Sequence, residues 1–288
     1  MSDPVIRLLS VDDLDAALDL SATAGWNQRL DDWRMLLRLA PSGAFAALAD
    51  ERIVGTAIGI DYGGFAWIAM MLVNPAHRGR GIGRRLLEAA MGSVPSDRPI
   101  RLDATPMGRP LYQQYGFEDE ARLTRHVIPR ARPRDVSARL RRLTTTDLQT
   151  LAGRDSVVFG GNRQTVLEWA LDGAPQYGLV VESEAGPAHY CLGRAGRLVD
   201  QIGPVVAGDE EIAQTLVDAA LGAAGVRPVA VDAFDAYNMF AASLAALGFE
   251  PQRPLFRMCR RAGQGATAIG SRNRKGLVEF AILGPEFA

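Results

Sequence analysis

Apolar and polar positions in the opening part of the chain follow two periods. Over 12–22, Leu14, Ala17, Leu18 and Ser21 fall near one face at helical spacing, which predicts an amphipathic helix with a polar N-cap. A second helix is predicted over 31–39, stopped before Pro41. Residues 44–49 and 53–60 read as a hairpin around Asp50-Glu51-Arg52. Residues 65–73 form a near-continuous apolar run, as expected of a central strand covered on both faces. A helix over 83–91, a strand over 100–104 and a short helix over 110–115 follow, the last ended by Gly116. Strand, helices, three strands, helix, strand, helix, strands is the order of a mixed α/β sheet, not an all-parallel one.

The pattern then repeats. Ile6-Arg7-Leu8-Leu9 leads into Asp12-Asp13-Leu14, and Leu140-Arg141-Arg142-Leu143 leads into Thr146-Asp147-Leu148. Gly116-Phe117-Glu118 precedes an alternating run over 122–127, and Gly248-Phe249-Glu250 precedes one over 254–260. Asp13 and Asp147 lie 134 positions apart, Gly116 and Gly248 132 apart. Two ordered landmarks with nearly equal offset predict two units of similar design. The boundary is expected near Pro129-Arg130-Ala131-Arg132-Pro133-Arg134, where two prolines remove backbone donors, giving units of 1–132 and 133–288. The arginines from Arg122 to Arg142 read as a solvated linker and strand edge rather than a patch for an anionic partner.

Composition narrows the classes. The chain of 288 residues is 48% hydrophobic and 23% charged, enough for packed cores and too apolar for disorder. Lys+Arg 32 against Asp+Glu 33 gives no global case for nucleic acid or for an anionic membrane. Cys191 and Cys259 cannot make a disulfide framework, which points to a reduced, cytoplasmic setting. Met1-Ser2-Asp3-Pro4 opens acidic with no long apolar run, so no signal peptide is expected, and no stretch reaches the ~20 apolar residues of a membrane span. Lys275 is the only lysine, and the Ala, Gly and Arg richness suggests a GC-rich, bacterial source. Three histidines and two cysteines without ligand spacing predict no metal.

The most informative segment runs from Met70 to Leu87. A buried strand ends at Pro75, a loop carries Gly79, Gly81 and Gly83 at alternate positions, and a helix begins at once. Glycines let backbone N–H groups approach a ligand, and the first N–H groups of a helix have no intrahelical partner. Together they suit a diphosphate, with Arg78, Arg80, Arg84 and Arg85 available for charge-assisted contacts. A P-loop needs Gly-Lys-Ser/Thr, which is absent, and a dinucleotide fingerprint needs another glycine spacing directly after the first strand.

Arg78-x-x-Gly81-x-Gly83 after Val73-x-Pro75 resembles the acyl-CoA loop of the GNAT superfamily of N-acyltransferases. Leu111-Tyr112-Gln113-Gln114-Tyr115-Gly116-Phe117 resembles that family's next signature. The resemblance covers residues 5–127. The second unit keeps the frame, with a strand over 198–206 and a helix over 210–221, but has no Arg-x-x-Gly-x-Gly. Asp209, Glu210 and Glu211 stand where phosphates would go, and would repel them. It resembles a degenerate GNAT domain, as in tandem proteins of the YitH/HolE type, a likeness the tail over 279–286 shares. The fold implied is α/β, two GNAT domains, each a twisted mixed sheet flanked by helices.

The resemblance further implies acetyl-CoA as acyl donor, held by Met71, Leu72, Val73, Arg78, Gly79, Arg80, Gly81, Ile82, Gly83 and Arg84 of the first domain. An acceptor amine attacks the thioester directly, without a covalent enzyme intermediate. Backbone N–H groups near Leu72 and Val73 are the expected oxyanion donors. Tyr112 matches the tyrosine acid that protonates the leaving thiolate, with Tyr115 as the alternative. The central strand carries no acid to serve as base, leaving Asp61, Asp103 or water. Asp103 and Trp26 are candidates for the acceptor side, Trp26 because the link between the first two helices lines that pocket in the family; loop capping and surface packing are their other readings. His77 packs or touches the cofactor. The acceptor, a small-molecule or peptide amine, stays open among polyamine, amino acid, aminoglycoside and protein lysine, as does the oligomeric state. A CoA-binding sensor without turnover is the competing class.

Overall fold

The computed structural model describes residues 4–131, 140–183, 186–261 and 276–288. The expected boundary at 132/133 therefore lies outside the described residues. The first unit runs β1 (Val5–Leu8), α1 (Leu14–Thr23), α2 (Leu30–Leu39), β2 (Ala44–Ala49), β3 (Arg52–Asp61), β4 (Ala66–Val73), α3 (Ile82–Gly92), β5 (Ile100–Ala104), α4 (Arg109–Gln114) and β6 (Glu118–Ile128). The second runs β7 (Leu140–Arg142), α5 (Thr145–Phe159), α6 (Gln164–Gly173), β8 (Leu179–Ser183), β9 (Gly186–Arg194), β10 (Asp200–Ala207), α7 (Glu210–Ala223), β11 (Val229–Phe234), α8 (Asn238–Leu247) and β12 (Glu250–Arg260), followed by β13 (Val278–Ile282). No helix among these residues is long and apolar enough to cross a membrane.

The repeat is visible in atomic detail. Asp13 accepts from the Ser10 N–H at 2.7 Å and from both arms of Arg7 at 2.6 and 2.8 Å. Asp147, 134 positions on, accepts from the Thr144 N–H at 2.8 Å and from Arg141 at 2.7 and 2.8 Å. In both units a capping carboxylate ties the first helix to the preceding strand. It also explains why α1 starts at Leu14 and not at residue 12: Val11–Asp13 is a 3-10 turn wound around that anchor. Likewise β10 begins at Asp200, not at residue 198, because the side chain of Asn27 accepts from the N–H groups of Leu198 and Val199 at 2.8 and 3.1 Å and holds them in a loop.

The two expected mixed sheets are joined. All strands form one sheet in the order β1-β2-β3-β4-β5-β12-β6-β11-β13-β10-β9-β8-β7. β12 pairs with β5 (Phe256↔Ala104) and with β6 (Leu255↔Leu123), and β6 in turn pairs with β11 (Ala230↔Val127). Each unit thus lends its late strand to the other, which leaves neither β5 nor β11 with an open edge. The core continues across the join. Phe159 of α5 packs edge-on against Tyr62 and Phe65 beside the β3–β4 turn, with ring centroids 5.0 Å apart in each case. Such pairs add about 0.5–1.5 kcal/mol each beyond their buried area.

Candidate active site

The site begins with a fault in the central strand. β4 and β5 are parallel and pair only at Ala66↔Ile100 and Trp67↔Arg101, then diverge. On the other side of β4, the register against β3 shifts between Thr56 and Ile58. Met70 lies in that bulge with φ +52°, a conformation that costs a non-glycine residue about 1–3 kcal/mol. The buried Thr56 hydroxyl donates to the Met70 carbonyl at 2.8 Å and holds the bulge in place. Beyond it, Asn74 N–H donates to Val54 O at 2.8 Å, so strand alternation turns Leu72 toward β3 and Val73 toward the gap. Of the two expected oxyanion donors, Val73 therefore presents its N–H to the open side and Leu72 does not. The Val73 carbonyl on that side accepts from Arg78 Nε at 3.1 Å.

The gap between β4 and β5 is part of a cavity of about 860 Å³. Met71, Leu72, Val73 and Arg78 line it from β4 and the loop beyond, and Thr105, Met107 and Tyr112 from the approach to α4. Trp26 and Asp103 line it too, so the cavity brings both acceptor-side candidates together with Tyr112 and part of the expected cofactor strand. Its other end is built from Gln28, from Arg125 and Arg253 on β6 and β12, from Arg194 on β9, and from Glu286 near the end of the chain.

Gly79, Arg80, Gly81, Ile82, Gly83 and Arg84 lie outside the lining, along the rim at the start of α3. Gly79 and Gly81 each have φ +76°, which a side chain would strain, and a Cβ on either would meet no atom within 4 Å. Backbone conformation, not crowding, requires glycine there, and the space above the loop is open. The first helical bond runs from Arg85 N–H to Gly81 O at 3.1 Å, which leaves the N–H groups of Ile82, Gly83 and Arg84 ahead of the hydrogen-bonded ladder. Ile82 is 1% exposed and offers only its backbone. Gly83 is under less constraint: a Cβ would sit 3.6 Å from Val73 Cγ2, an ordinary contact. Arg84 donates to Gln114 at 3.1 Å and so ties α3 to α4. A strand with a free edge leading to an open, donor-rich helix start fits an acyl-CoA, pantetheine arm along β4 and diphosphate at the rim.

Tyr112 is buried and edge-on to Phe117, centroids 6.0 Å apart. Its hydroxyl makes no hydrogen bond among the described residues, and burial pushes the phenol above its ordinary value, so it keeps its proton at neutral pH. Tyr115, the alternative, is outside the lining and donates to Glu88 at 2.5 Å. Asp103 lies at the cavity but is fully engaged: both oxygens accept from Arg257 at 2.9 Å, and that guanidinium lies 4.9 Å from the Trp67 ring centroid. Asp103 is thus an acceptor-side candidate by position, with its carboxylate held by Arg257. The Trp26 carbonyl accepts from Arg197 at 2.9 Å, which fixes the α1–α2 loop against the second unit. Among the described residues no group of three His, Cys, Asp or Glu could hold a metal ion.

The sequence missed Gln28, Arg194, Arg253 and Glu286. They come from four distant segments and carry no motif; the only hint was the likeness of the tail. The structure explains that tail. β13 pairs with β10 (Val205↔Ala281) and β11 (Ala233↔Ala281), between which it runs, and the chain then turns back to the first unit's cavity. There Trp67 Nε1 donates to Pro285 O at 3.1 Å, and Glu286 accepts from Gln28 Nε2 at 3.0 Å and from Arg194.

Two models described as "Acetyltransferase (GNAT) domain" match residues 40–119 and 153–270. The chain is 23% identical over 190 residues to the uncharacterized N-acetyltransferase YitH of Bacillus subtilis, covering 65% of this chain and 67% of that protein. It is 24% identical over 238 residues to the holothin acyltransferase of a Pseudoalteromonas species, covering 82% and 80%. In fold it resembles a putative acetyltransferase from Pyrococcus horikoshii, with TM-score 0.75, 22% identity and 99% and 96% of the two chains covered. It also resembles a tandem GNAT protein from the clavulanic acid biosynthesis pathway, with TM-score 0.62, 20% identity and 91% and 100% covered. The chain belongs to the GNAT acetyltransferase family, as a tandem GNAT protein of the YitH and holothin acyltransferase type. It is an acyltransferase that draws on acyl-CoA.

Proposed function

We propose that the chain transfers acetyl from acetyl-CoA to a primary amine by direct attack, at one site, in the first unit. The observation that carries this reading is the shared cavity in which the open edge of β4, the free hydroxyl of Tyr112 and the Trp26 loop meet. The Val73 N–H donates to the thioester oxygen as charge builds on it. The Tyr112 hydroxyl delivers its proton to the departing sulfur, a role that a buried, still protonated phenol suits. The rim from Arg78 to Arg84 holds the diphosphate. The proton lost by the amine leaves through water, since Asp103 is committed to Arg257.

A screen of amines for CoA release, run with acetyl-, propionyl- and succinyl-CoA, tests the reading. Amine-dependent release with acetyl-CoA preferred is the expected result. Tight acetyl-CoA binding with no release from any amine class would favour the sensor instead.

A further inference from the structure

The acceptor end of the cavity is walled by three guanidiniums in unequal circumstances. Arg125 is bound through two arms to Asp232 at 2.7 and 2.6 Å. Arg194 donates to Asp32 at 3.0 Å and to Glu286. Arg253 makes no hydrogen bond or ion pair among the described residues. It stands directly across the β6–β12 pair from Arg125, at a point where the register shifts between Pro251 and Arg253. Like charges facing across strands are destabilising, and bulges beside active sites serve to re-aim a side chain. Burial and the facing Arg125 push the Arg253 guanidinium below its ordinary value, against the weaker pull of Asp232 and Glu286. A half-buried cation with no hydrogen-bonded counter-ion among the described residues, facing another cation on the wall of the cavity, has its donors open to an anion.

We propose that the acceptor is an amine that also carries a carboxylate, and that Arg253 binds that carboxylate. The inference rests on amine acylation in this cavity and names the acceptor's class. An unpaired guanidinium fits one planar carboxylate through two parallel hydrogen bonds. Asp232 and Glu286 stand close enough to act on Arg253 and disfavour a more highly charged anion. Glu286 on the same wall takes Arg194 and Gln28 on its Oε1, which leaves its Oε2 to accept from the amine end of a zwitterion. Arg125 and Arg194 are held by Asp232 and by Asp32 and Glu286, so Arg253 is the guanidinium that would disfavour the several positive charges of a polyamine or aminoglycoside.

The test compares proteinogenic amino acids with their carboxamides as acceptors of acetyl from acetyl-CoA, in the full chain, with spermidine as a polycation. In parallel, the CoA-saturated protein is titrated with the N-acetylated amino acids and their amides by saturation-transfer NMR. The expected result is a kcat/KM preference for carboxylate over carboxamide of about 10–150-fold, the range for a hydrogen bond to a charged group. R253Q should bring the ratio toward one, and R253K, which keeps the charge without the fork, should retain part of it. Acetyl-CoA affinity and melting temperature, measured on both variants, show that the fold is intact. Equal use of carboxamides, preference for spermidine, or an unchanged ratio in R253Q overturns the proposal. If nothing is acetylated but N-acetylamino acids bind in an Arg253-dependent way, amine transfer falls and the carboxylate subsite stands. If neither turnover nor carboxylate-selective binding is seen, the subsite falls.

Discussion

In the first unit β4 and β5 pair for two residues, part, and leave an open groove. In the second, β10 and β11 pair for two residues, Asp200↔Val229 and Gln201↔Ala230, part, and close on β13. The resemblance extends to the bulge: β10 shifts register against β9 between Ile202 and Val205, as β4 does against β3. Gly203 shows how tightly the second groove is filled, since a Cβ there would overlap the Ile282 carbonyl oxygen. At the helix that follows, Asp209 accepts from Ile212 N–H at 2.8 Å, and Glu210 accepts from Phe240 N–H at the start of α8. On the binding mode proposed for the first unit, these carboxylates stand where the diphosphate would lie and β13 where the pantetheine arm would run. The second unit keeps the strand and helix frame and fills the corresponding gap with β13.

Removing β13 tests that difference most severely. Phe280, Ile282, Leu283 and Phe287 are each at most 1% exposed. Their burial is worth roughly 6–12 kcal/mol, the size of a whole domain's stability. A chain ending at Leu277 is expected to lose cooperative thermal unfolding by circular dichroism. A melt like that of the full chain would mean that β13 is an accessory to the second groove, not its filling.

Tyr112→Phe comes next. If the hydroxyl acts only as the thiolate leaves, kcat and kcat/KM should fall together by about 10²–10⁴-fold. Calorimetric affinity for acetyl-CoA and thermal stability should stay near wild type. Loss of stability with kcat preserved would make Tyr112 a packing residue.

Matched changes at the two helix starts give smaller effects. Gly81→Asp places a strained backbone and a negative charge at the rim, and should weaken acetyl-CoA binding about 10–100-fold, the scale of one charge-assisted hydrogen bond removed from the diphosphate. Asp209→Ala removes the opposing charge from the second unit at a cost of about 1 kcal/mol for the missing cap. It should still show one acetyl-CoA per chain by calorimetry, because β13 remains. A second equivalent of bound acetyl-CoA would refute the filled-groove account.

The last test concerns Asp32, whose carboxyl is raised to about 6 by burial, against the pull of Arg194 and with a push from Glu286. A carboxyl raised on folding adds stability below its ordinary value of ~3.9 and loses it as pH rises through the folded one. Stability should therefore decline by roughly 2–3 kcal/mol between pH 4 and 7, and Asp32→Asn should flatten that slope. Asp13 and Asp147, held below the ordinary range by Arg7 and Arg141, act oppositely and only in stronger acid. An unchanged slope in Asp32→Asn would show that the Arg194 junction between the units does not titrate there.

Most elements around the rim of the site were legible because they depend on neighbours in sequence. The apolar run ending at Val73, the alternate glycines and the Tyr112 helix each write their local structure in a few adjacent residues. Four things were not legible, each because it depends on pairing beyond near neighbours in sequence. Nothing in the alternating run over 254–260 says that it pairs with β5 rather than within its own unit. Nothing in Glu286 or Arg253 marks them for a cavity in the other half. Asp103 looked available because Arg257, which occupies it, is 154 positions away. The bulge at Met70 was equally hidden, since its cause is the hydroxyl of Thr56 on the adjacent strand.

The exchange of β6 and β12 also sets an order of events during synthesis. Every residue of the rim and Tyr112 has been made by position 112, yet β5 has no partner on its far side until β12 emerges, beyond position 250. At ribosomal rates of about 5–20 residues per second, the nascent first unit carries that bare edge for roughly 6–25 s after β6 is complete. A loop and helix start encoded wholly in the first half become a property of the finished polypeptide. The gene cannot be split between the halves without leaving two exposed sheet edges that must find each other in solution.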